Sequence, residues 1–168
     1  MRHLYLLRHG KSLWNNPSDS DFTRPLSERG LRDASKIASY IKRENLPIEV
    51  VLCSPALRTT QTLEAIKPVL EKIAEVIIDD SLYTFDPVHV IERLAEVPDS
   101  KKEVMIIGHN PGIQSIALTF APPGLQRTRI SNKYPTGSLA IIALENGSWD
   151  LSNPVITSLS FTTPKELE

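Results

Sequence analysis

The sequence has 168 residues, of which 40% are hydrophobic and 23% charged, and this composition is typical of a globular protein, not of a disordered chain. Nineteen basic and twenty acidic residues give a formal net charge of −1, which excludes a broad cationic surface for nucleic acid or membranes. A chain of this length buries roughly 70% of its surface on folding, so we expect one domain over residues 1–168. The single cysteine, Cys53, excludes an internal disulfide and a multi-cysteine zinc site.

The ends of the chain carry no targeting pattern that we recognise. The apolar run near the N-terminus is short and stops at Arg8-His9, unlike the apolar region of a secretory signal. No stretch approaches 18 apolar residues, the length that predicts a membrane-spanning helix. We therefore expect a cytoplasmic protein, with neither a membrane nor a nucleic acid as its partner.

Short, continuous apolar runs predict strands that are buried on both faces of a sheet. The four clearest runs are Leu4–Leu7, Val50–Cys53, Val104–Ile107 and Leu139–Leu144, with a short extra candidate at Val76–Ile78 and a further edge-strand candidate at Val155–Phe161. The dipeptide Asn146-Gly147 is typical of a hairpin turn. It predicts that the fourth run pairs with a strand beginning near Trp149.

Helical patterns lie between these runs. They cover Ser27 to about Arg43, the segment from Ser54-Pro55 onward, Pro87–Val97, and Pro111 to about Phe120. Ser54 is the predicted N-cap of the second helix, and Pro68 is expected to kink or end it. We interpret residues 121–137 as a longer loop. Strands that alternate with helices predict an α/β fold with a mostly parallel sheet.

Polar side chains follow three of the predicted strands. Arg8 and His9 come after the first run, Arg58 lies in the first turn of the helix after the second, and His109 follows the third. Each residue alone has an ordinary structural interpretation, such as a solvated charge or a loop histidine. Ligands of open α/β sheets bind beyond the carboxyl ends of the strands. If the three strands are neighbours, these four side chains converge on one pocket.

Such a pocket suits phosphate. Two guanidinium groups present fork-shaped donors that match a phosphate dianion, and nearby helix starts add backbone N–H groups. A metal is not expected, because arginines disfavour a cation and no carboxylate lies beside either histidine in the sequence. A neutral imidazole can attack phosphorus in line. Arg8, Arg58 and a protonated His109 would stabilise the charge on the equatorial oxygens.

Three motifs resemble those of the histidine phosphatase superfamily, whose fold is phosphoglycerate-mutase-like. They are LLRHGKS at 6–12, SPALRTTQT at 54–62 and GHNPG at 108–112. Two further segments, RPLSERG at 24–30 and YPTGSL at 134–139, are similar to the short SixA-like phosphohistidine phosphatases. The resemblance runs from about Arg2 to about Leu144.

This resemblance implies a three-layer α/β fold with a mostly parallel central sheet flanked by helices. It also implies that His9 is the nucleophile and that Arg8, Arg58 and His109 form the phosphate pocket. Asn15 matches a family position that contacts phosphate. The family's chemistry requires no metal and no cofactor.

The sequence departs from the family pattern at one position. Longer mutases and many phosphomonoesterases carry a glutamate after the second motif's helix, and here Thr84 falls at about that place. An alkoxide leaving group needs a general acid, whereas the imidazole leaving from a P–N bond needs less help. The departure therefore favours phosphohistidine as the substrate. Asp21 is a candidate substitute acid, with a structural role as the alternative, and Asp80 and Asp86 are expected to be loop charges or caps.

The leading hypothesis is a metal-independent phosphatase that acts on phosphohistidine in a partner protein. The short chain has no large insertion that would enclose a small substrate. Two alternatives stay open: a phosphatase for a small phosphomonoester, and a phospho-ligand binding module without catalysis. Arg127, Arg129 and Lys133 either rim the pocket and attract an acidic partner or form an ordinary solvated surface.

Overall fold

One mixed sheet organises the computed structural model, which describes residues 1–14, 16, 18, 20–70 and 75–167. Its strands are β1 (Arg2–Arg8), β2 (Val50–Cys53), β3 (Glu75–Ile78), β4 (Glu103–Gly108), β5 (Leu139–Leu144) and β6 (Ile156–Thr162). They are ordered β3-β2-β4-β1-β5-β6 in the sheet. The first four of these in the spatial order pair in parallel, and β5 and β6 complete the sheet as antiparallel strands. The predicted mostly parallel sheet is therefore confirmed.

Helices cover both faces of this sheet. They are α1 (Glu28–Arg43), α2 (Leu57–Ile66), α3 (Pro87–Ala95), α4 (Gly112–Phe120) and α5 (Leu125–Asn132). Because side chains alternate along a strand, Leu4 and Leu6 join one core cluster while Tyr5 and Leu7 join the other. Side chains of α3, α4 and α5 belong to the first cluster, and side chains of α1 and α2 to the second. This is the expected three-layer arrangement.

The parallel register aligns the carboxyl ends of three strands. Arg8 of β1 is the partner of Gly108 at the end of β4, and Cys53 at the end of β2 is the partner of Ile107. The residues that follow β1, β2 and β4 therefore emerge at one edge of the sheet. Cys53 itself is buried, and burial raises the pKa of its thiol to about 12, as befits an inert core residue.

Local sequence explains some of the helix ends. The hydroxyl of Ser27 accepts a hydrogen bond from the amide of Gly30 at 3.0 Å and caps α1. The α2 helix ends at Ile66 and passes into a 3-10 turn at Lys67–Val69, because Pro68 cannot continue the ladder. Among the described residues, no helix is long and apolar enough to cross a membrane.

Three local predictions are wrong. The α2 helix begins at Leu57 with Ala56 as its N-cap, and the Ser54 hydroxyl bonds instead to a histidine described below. The strand that pairs with β5 begins at Ile156, because the intervening Trp149 is buried and donates its indole N–H to the carbonyl of Lys101 at 2.6 Å.

The third wrong prediction is the loop at 121–137, which contains α5. This helix buries only Ile130, so its sequence shows no apolar stripe. Arg127 donates to the carbonyls of Leu118 and Ala121, and Arg129 donates to the carbonyl of Phe161 and pairs with Glu166. These two arginines therefore hold α5 against its neighbours. They do not line the pocket described below, and Lys133 lines a separate cleft.

Candidate active site

The predicted residues meet in one pocket at the carboxyl edge of the sheet. Arg8, His9, Arg58 and His109 line a cavity of about 350 Å³, which we call the catalytic pocket. These four side chains come from the ends of β1 and β4 and from the first turn of α2. The four residues that were predicted to converge therefore lie in one pocket. Asn15, the other predicted phosphate contact, lies outside the described residues.

The backbone around His9 is held on several sides. Its amide donates to the carbonyl of Gly108 at 3.2 Å, and its carbonyl accepts from the amide of Gly137 at 2.9 Å. The amide of Gly10 donates to the hydroxyl of Thr62 on α2 at 3.1 Å. A side chain at position 10 would not fit, since a Cβ there would lie 2.8 Å from the carbonyl oxygen of Gly30. The Arg-His-Gly triplet is thus fixed to the sheet and to two helices.

The imidazole of His9 is oriented for attack through one nitrogen. Its Nδ1 lies 2.7 Å from the carbonyl oxygen of Gly10, which can only accept, so Nδ1 carries the proton and Nε2 carries the lone pair. Burial is the largest cause that lowers the pKa of His9 to about 3, and the nearby His109, Arg58 and Arg8 act in the same direction, whereas the hydrogen bond to the Gly10 carbonyl opposes them. The side chain is therefore neutral at physiological pH, as a nucleophile must be.

His109 lies beside His9, with ring centroids 5.3 Å apart. Its Nε2 is 2.7 Å from the hydroxyl of Ser54, and its Nδ1 is 3.2 Å from an Arg58 nitrogen, which can only donate. These partners place the proton on Nε2. Burial, followed by the charge of Arg58, lowers the pKa of His109 to about 4. His109 is therefore neutral at physiological pH in this structure, and not protonated as expected from the sequence. A phosphate dianion beside Nδ1 would raise that pKa again.

Arg8 and Arg58 each have a buried N–H group without a hydrogen-bond partner among the described residues. Arg8 donates from Nη1 to the carbonyl of Tyr134 at 2.8 Å, and Arg58 donates from Nη1 to the carbonyl of Asp21 at 2.7 Å. The Nε atoms of Arg8 and Arg58 are buried, and neither has a hydrogen-bond partner among the described residues. Buried donors without partners are rare and usually mark a place for a ligand, a water or an ion.

Asp21 is the carboxylate of the catalytic pocket in the described part of the chain. It accepts hydrogen bonds from Arg58 at 3.1 Å, from Arg24 at 3.0 Å and from the Tyr83 hydroxyl at 2.5 Å. Burial alone would raise the pKa of Asp21, but the bonds from Tyr83, Arg24 and Arg58 outweigh it and lower that pKa to about 2. The side chain is therefore ionised in this arrangement.

Asp80 and Asp86, the other candidate acids, lie in a turn and at a helix N-terminus. Asp86 accepts a hydrogen bond from the amide of Val88 at 2.9 Å and caps α3, as expected. Asp80 is exposed in a 3-10 turn. Thr84 accepts a hydrogen bond from the amide of Asp86 at 3.1 Å and contributes no acid. Among the described residues, no group of three or more His, Cys, Asp and Glu side chains could hold a metal ion.

Three contributors to this site were not identified from the sequence. Ser54 stood in a recognised motif but was assigned to a helix cap. Arg24 also stood in a recognised motif, and its contact with Ser12 at 2.5 Å and with Asp21 depends on loop geometry that no pattern encodes. Tyr83 had no signal in the sequence, because an isolated tyrosine after a turn is common.

The sequence also matches those of known proteins. The family model of the histidine phosphatase superfamily (branch 1) matches residues 4–86. An uncharacterised protein of Mycobacterium tuberculosis is 32% identical over 171 aligned residues, which cover 95% of this chain and all of that protein. This chain belongs to the histidine phosphatase superfamily. Within the superfamily it resembles phosphohistidine phosphatase SixA of Escherichia coli (strain K12), with 25% identity over 89% of this chain and 92% of that one.

The fold of a superfamily member with a bound oxyanion also matches. The structure of the protein histidine phosphatase SixA complexed with tungstate superposes with a TM-score of 0.78. The match covers 99% of each chain at 23% identity. The three-layer arrangement described above is therefore that of the histidine phosphatases.

Proposed function

We propose that this chain is a metal-independent phosphatase that forms a phosphohistidine on His9 and hydrolyses phosphohistidine in a partner protein. The observation that carries the proposal is the pairing of a neutral His9, whose Nε2 carries the lone pair, with two arginines whose buried Nε donors have no partner among the described residues. A nucleophile and its charge-stabilising donors are thus prearranged in one pocket.

The proposed reaction has two displacements. The lone pair on Nε2 of His9 attacks phosphorus while the P–N bond to the substrate imidazole breaks, and its electron pair returns to the substrate nitrogen, which is protonated. Water then attacks the phosphoryl group, the bond to Nε2 breaks, and inorganic phosphate leaves. Arg8, Arg58 and His109 would stabilise the charge on the equatorial oxygens in both steps. Asn15 is proposed as a further phosphate contact from the family resemblance.

The ionised Asp21 supports a substrate with a P–N bond. Asp21 is held as an anion by two arginines and a tyrosine, so it has no proton to donate at neutral pH. Thr84 stands at about the place where many family members carry a glutamate. An alkoxide leaving group would therefore lack an acid among the described pocket residues, whereas the imidazole that leaves from a P–N bond needs less help and takes its proton from water. Asp21 is better suited to hold Arg58 than to act as the general acid considered above.

A substrate panel tests the proposal. Phosphate release is measured from a set of phosphohistidine proteins, from phosphoramidate and from phosphomonoesters, each with and without EDTA. We expect faster turnover of the P–N substrates, no effect of EDTA, and a loss of about 100-fold or more in Arg58→Ala. The control is Lys42→Ala, which removes an exposed cation on α1 that does not line the catalytic pocket.

Other results of the same panel support the alternatives. Faster turnover of a phosphomonoester would assign the chain to small-ester hydrolysis and contradict the proposed substrate. Binding of phosphate without turnover of any compound would support a non-catalytic binding module. Loss of activity in EDTA that zinc or magnesium restores would contradict the metal-independent mechanism.

A further inference from the structure

A second cavity, which we call the basic cleft, lies beside the catalytic pocket. It has a volume of about 620 Å³, and five cationic side chains line it: Arg29, Arg32, Lys36, Lys133 and Lys165. Among the described residues, Asp33 is the single carboxylate that lines it. The described lining residues therefore carry a formal charge of +4, in a chain whose net charge is −1.

One face of α1 supplies most of this charge. Arg29, Arg32, Asp33 and Lys36 recur at helical spacing, and the opposite face of the helix is buried in the core. The carboxylate of Asp33 is nearly buried and lies 3.7 Å from Arg29 and 3.9 Å from Lys36. One acid thus stands between two of the cations.

Lys133 and Lys165 are brought to α1 by close packing of two other segments. The chain turns at Gly137, where φ is +75°, after leaving α5. A Cβ at Gly137 would lie 3.0 Å from Pro164 and 3.4 Å from the Cβ of Asp33. The three segments therefore touch at the floor of the cleft, so the cations are gathered by the fold.

The basic cleft adjoins the catalytic pocket through a thin wall. Thr136 lines both cavities. The same segment supports the catalytic residues, because the carbonyl of Tyr134 accepts from Arg8 and the amide of Gly137 donates to the carbonyls of Arg8 and His9. A ligand in the cleft would thus lie against the segment that positions the nucleophile.

A concave surface lined by several cationic side chains concentrates anions from solution. We propose that the basic cleft is a second anion site, which binds a small ligand with two or more linked phosphate groups. Its volume is that of a small-molecule site, and Pro135 and Pro164 give it apolar walls. A concavity of this size favours a small oligophosphate over the convex surface of an acidic protein.

Calorimetric titration with inorganic tripolyphosphate at low salt tests this site without any need for turnover. We expect the triple variant Arg32→Ala/Lys133→Ala/Lys165→Ala to lose roughly 100-fold in affinity at the cleft. The control variant Lys42→Ala/Lys67→Ala/Lys102→Ala removes the same charge from exposed positions outside the cleft and should bind like the wild type. Arg58→Ala, which disables the catalytic pocket, should keep the cleft site.

Two outcomes would overturn the proposal. Equal losses in the cleft variant and its control would show bulk electrostatics without a site, and binding that is lost only in Arg58→Ala would place the anion in the catalytic pocket. Hexaglutamate that binds the cleft more tightly than tripolyphosphate would reassign it to an acidic protein surface. If the triple variant unfolds at a lower temperature than the wild type, Lys133→Ala alone carries the test. Because binding is read directly, failure here is distinct from failure of the proposed hydrolysis.

Discussion

The hydroxyl of Ser54 lies 2.7 Å from Nε2 of His109 at the buried base of the catalytic pocket. Arg58 approaches the other ring nitrogen of His109, so the two contacts together select one neutral tautomer. Nδ1 of His109 is thereby the nitrogen that faces the arginine and the proposed phosphate position. Ser54 is thus a positioning residue, since it acts on phosphate only through His109.

Replacing Ser54 tests this role. We expect Ser54→Ala to lower kcat/KM by roughly 10-fold, because the Nε2–H of His109 loses its acceptor and the ring is less firmly oriented. The ¹⁵N resonance of His109 Nε2 should shift, because its hydrogen bond is lost. Ser138→Ala is the matched control, because Ser138 is equally buried and its hydroxyl has no hydrogen-bond partner among the described residues. An unchanged ¹⁵N spectrum in Ser54→Ala would contradict the positioning role.

Asp21→Asn separates general-acid catalysis from the support of Arg58. The substitution removes the negative charge that Arg58 and Arg24 contact but keeps a hydrogen-bonding oxygen. We expect kcat/KM to fall by roughly 10-fold for P–N and ester substrates alike, because the shared guanidinium is less well held. A loss confined to esters, together with a lost acidic limb in the pH profile, would identify Asp21 as the acid.

The depressed pKa values of the two histidines predict a pH-dependent stability. Both groups are buried and have pKa values of about 3 and about 4 in the folded chain, below the value of 6.5 that is ordinary for histidine. Between pH 4 and pH 6.5 the unfolded chain binds more protons than the folded chain. The free energy of unfolding is therefore at its full value above pH 6.5 and falls as the pH drops toward 4. We expect a loss on the order of 2–4 kcal/mol between pH 7 and pH 5.

Urea unfolding at several pH values measures this loss. The double variant His9→Asn/His109→Asn should show a much flatter dependence over the same window, since the titrating groups are gone. His89, which is exposed on α3, provides the control His89→Asn, whose slope should equal that of the wild type. A wild-type slope that the double variant retains would contradict neutral, buried histidines in the site.

The sequence predicted the parts of this molecule that depend on short-range pattern. Short apolar runs predicted the strands. Arg8, His9 and His109 were predicted to form the site because they directly follow these runs, and neighbouring parallel strands end at the same edge of a sheet. The prediction missed α5, which buries only Ile130 and so has no apolar periodicity. It also placed the second hairpin strand too early, because the burial of Trp149 depends on contacts with distant segments.

The basic cleft could be predicted only in part from the sequence, because its residues come from segments that are far apart along the chain. Arg29, Arg32 and Lys36 could be placed on one helix face from their spacing alone. Their union with Lys133 and Lys165 depends on how α1 packs against the segments around Gly137 and Pro164, which no local pattern reports. A near-zero net charge therefore concealed two concentrated cationic sites.

The central claim is that His9 carries the phosphoryl group during turnover. The most direct measurement is rapid-quench labelling with a ³²P-phosphohistidine protein or phosphoramidate, followed by peptide mapping. The account predicts an acid-labile, alkali-stable label on the peptide that contains His9, formed and lost at rates that match turnover, and neither label nor turnover in His9→Ala. Turnover with the label on another residue, or undiminished turnover in His9→Ala, would contradict it.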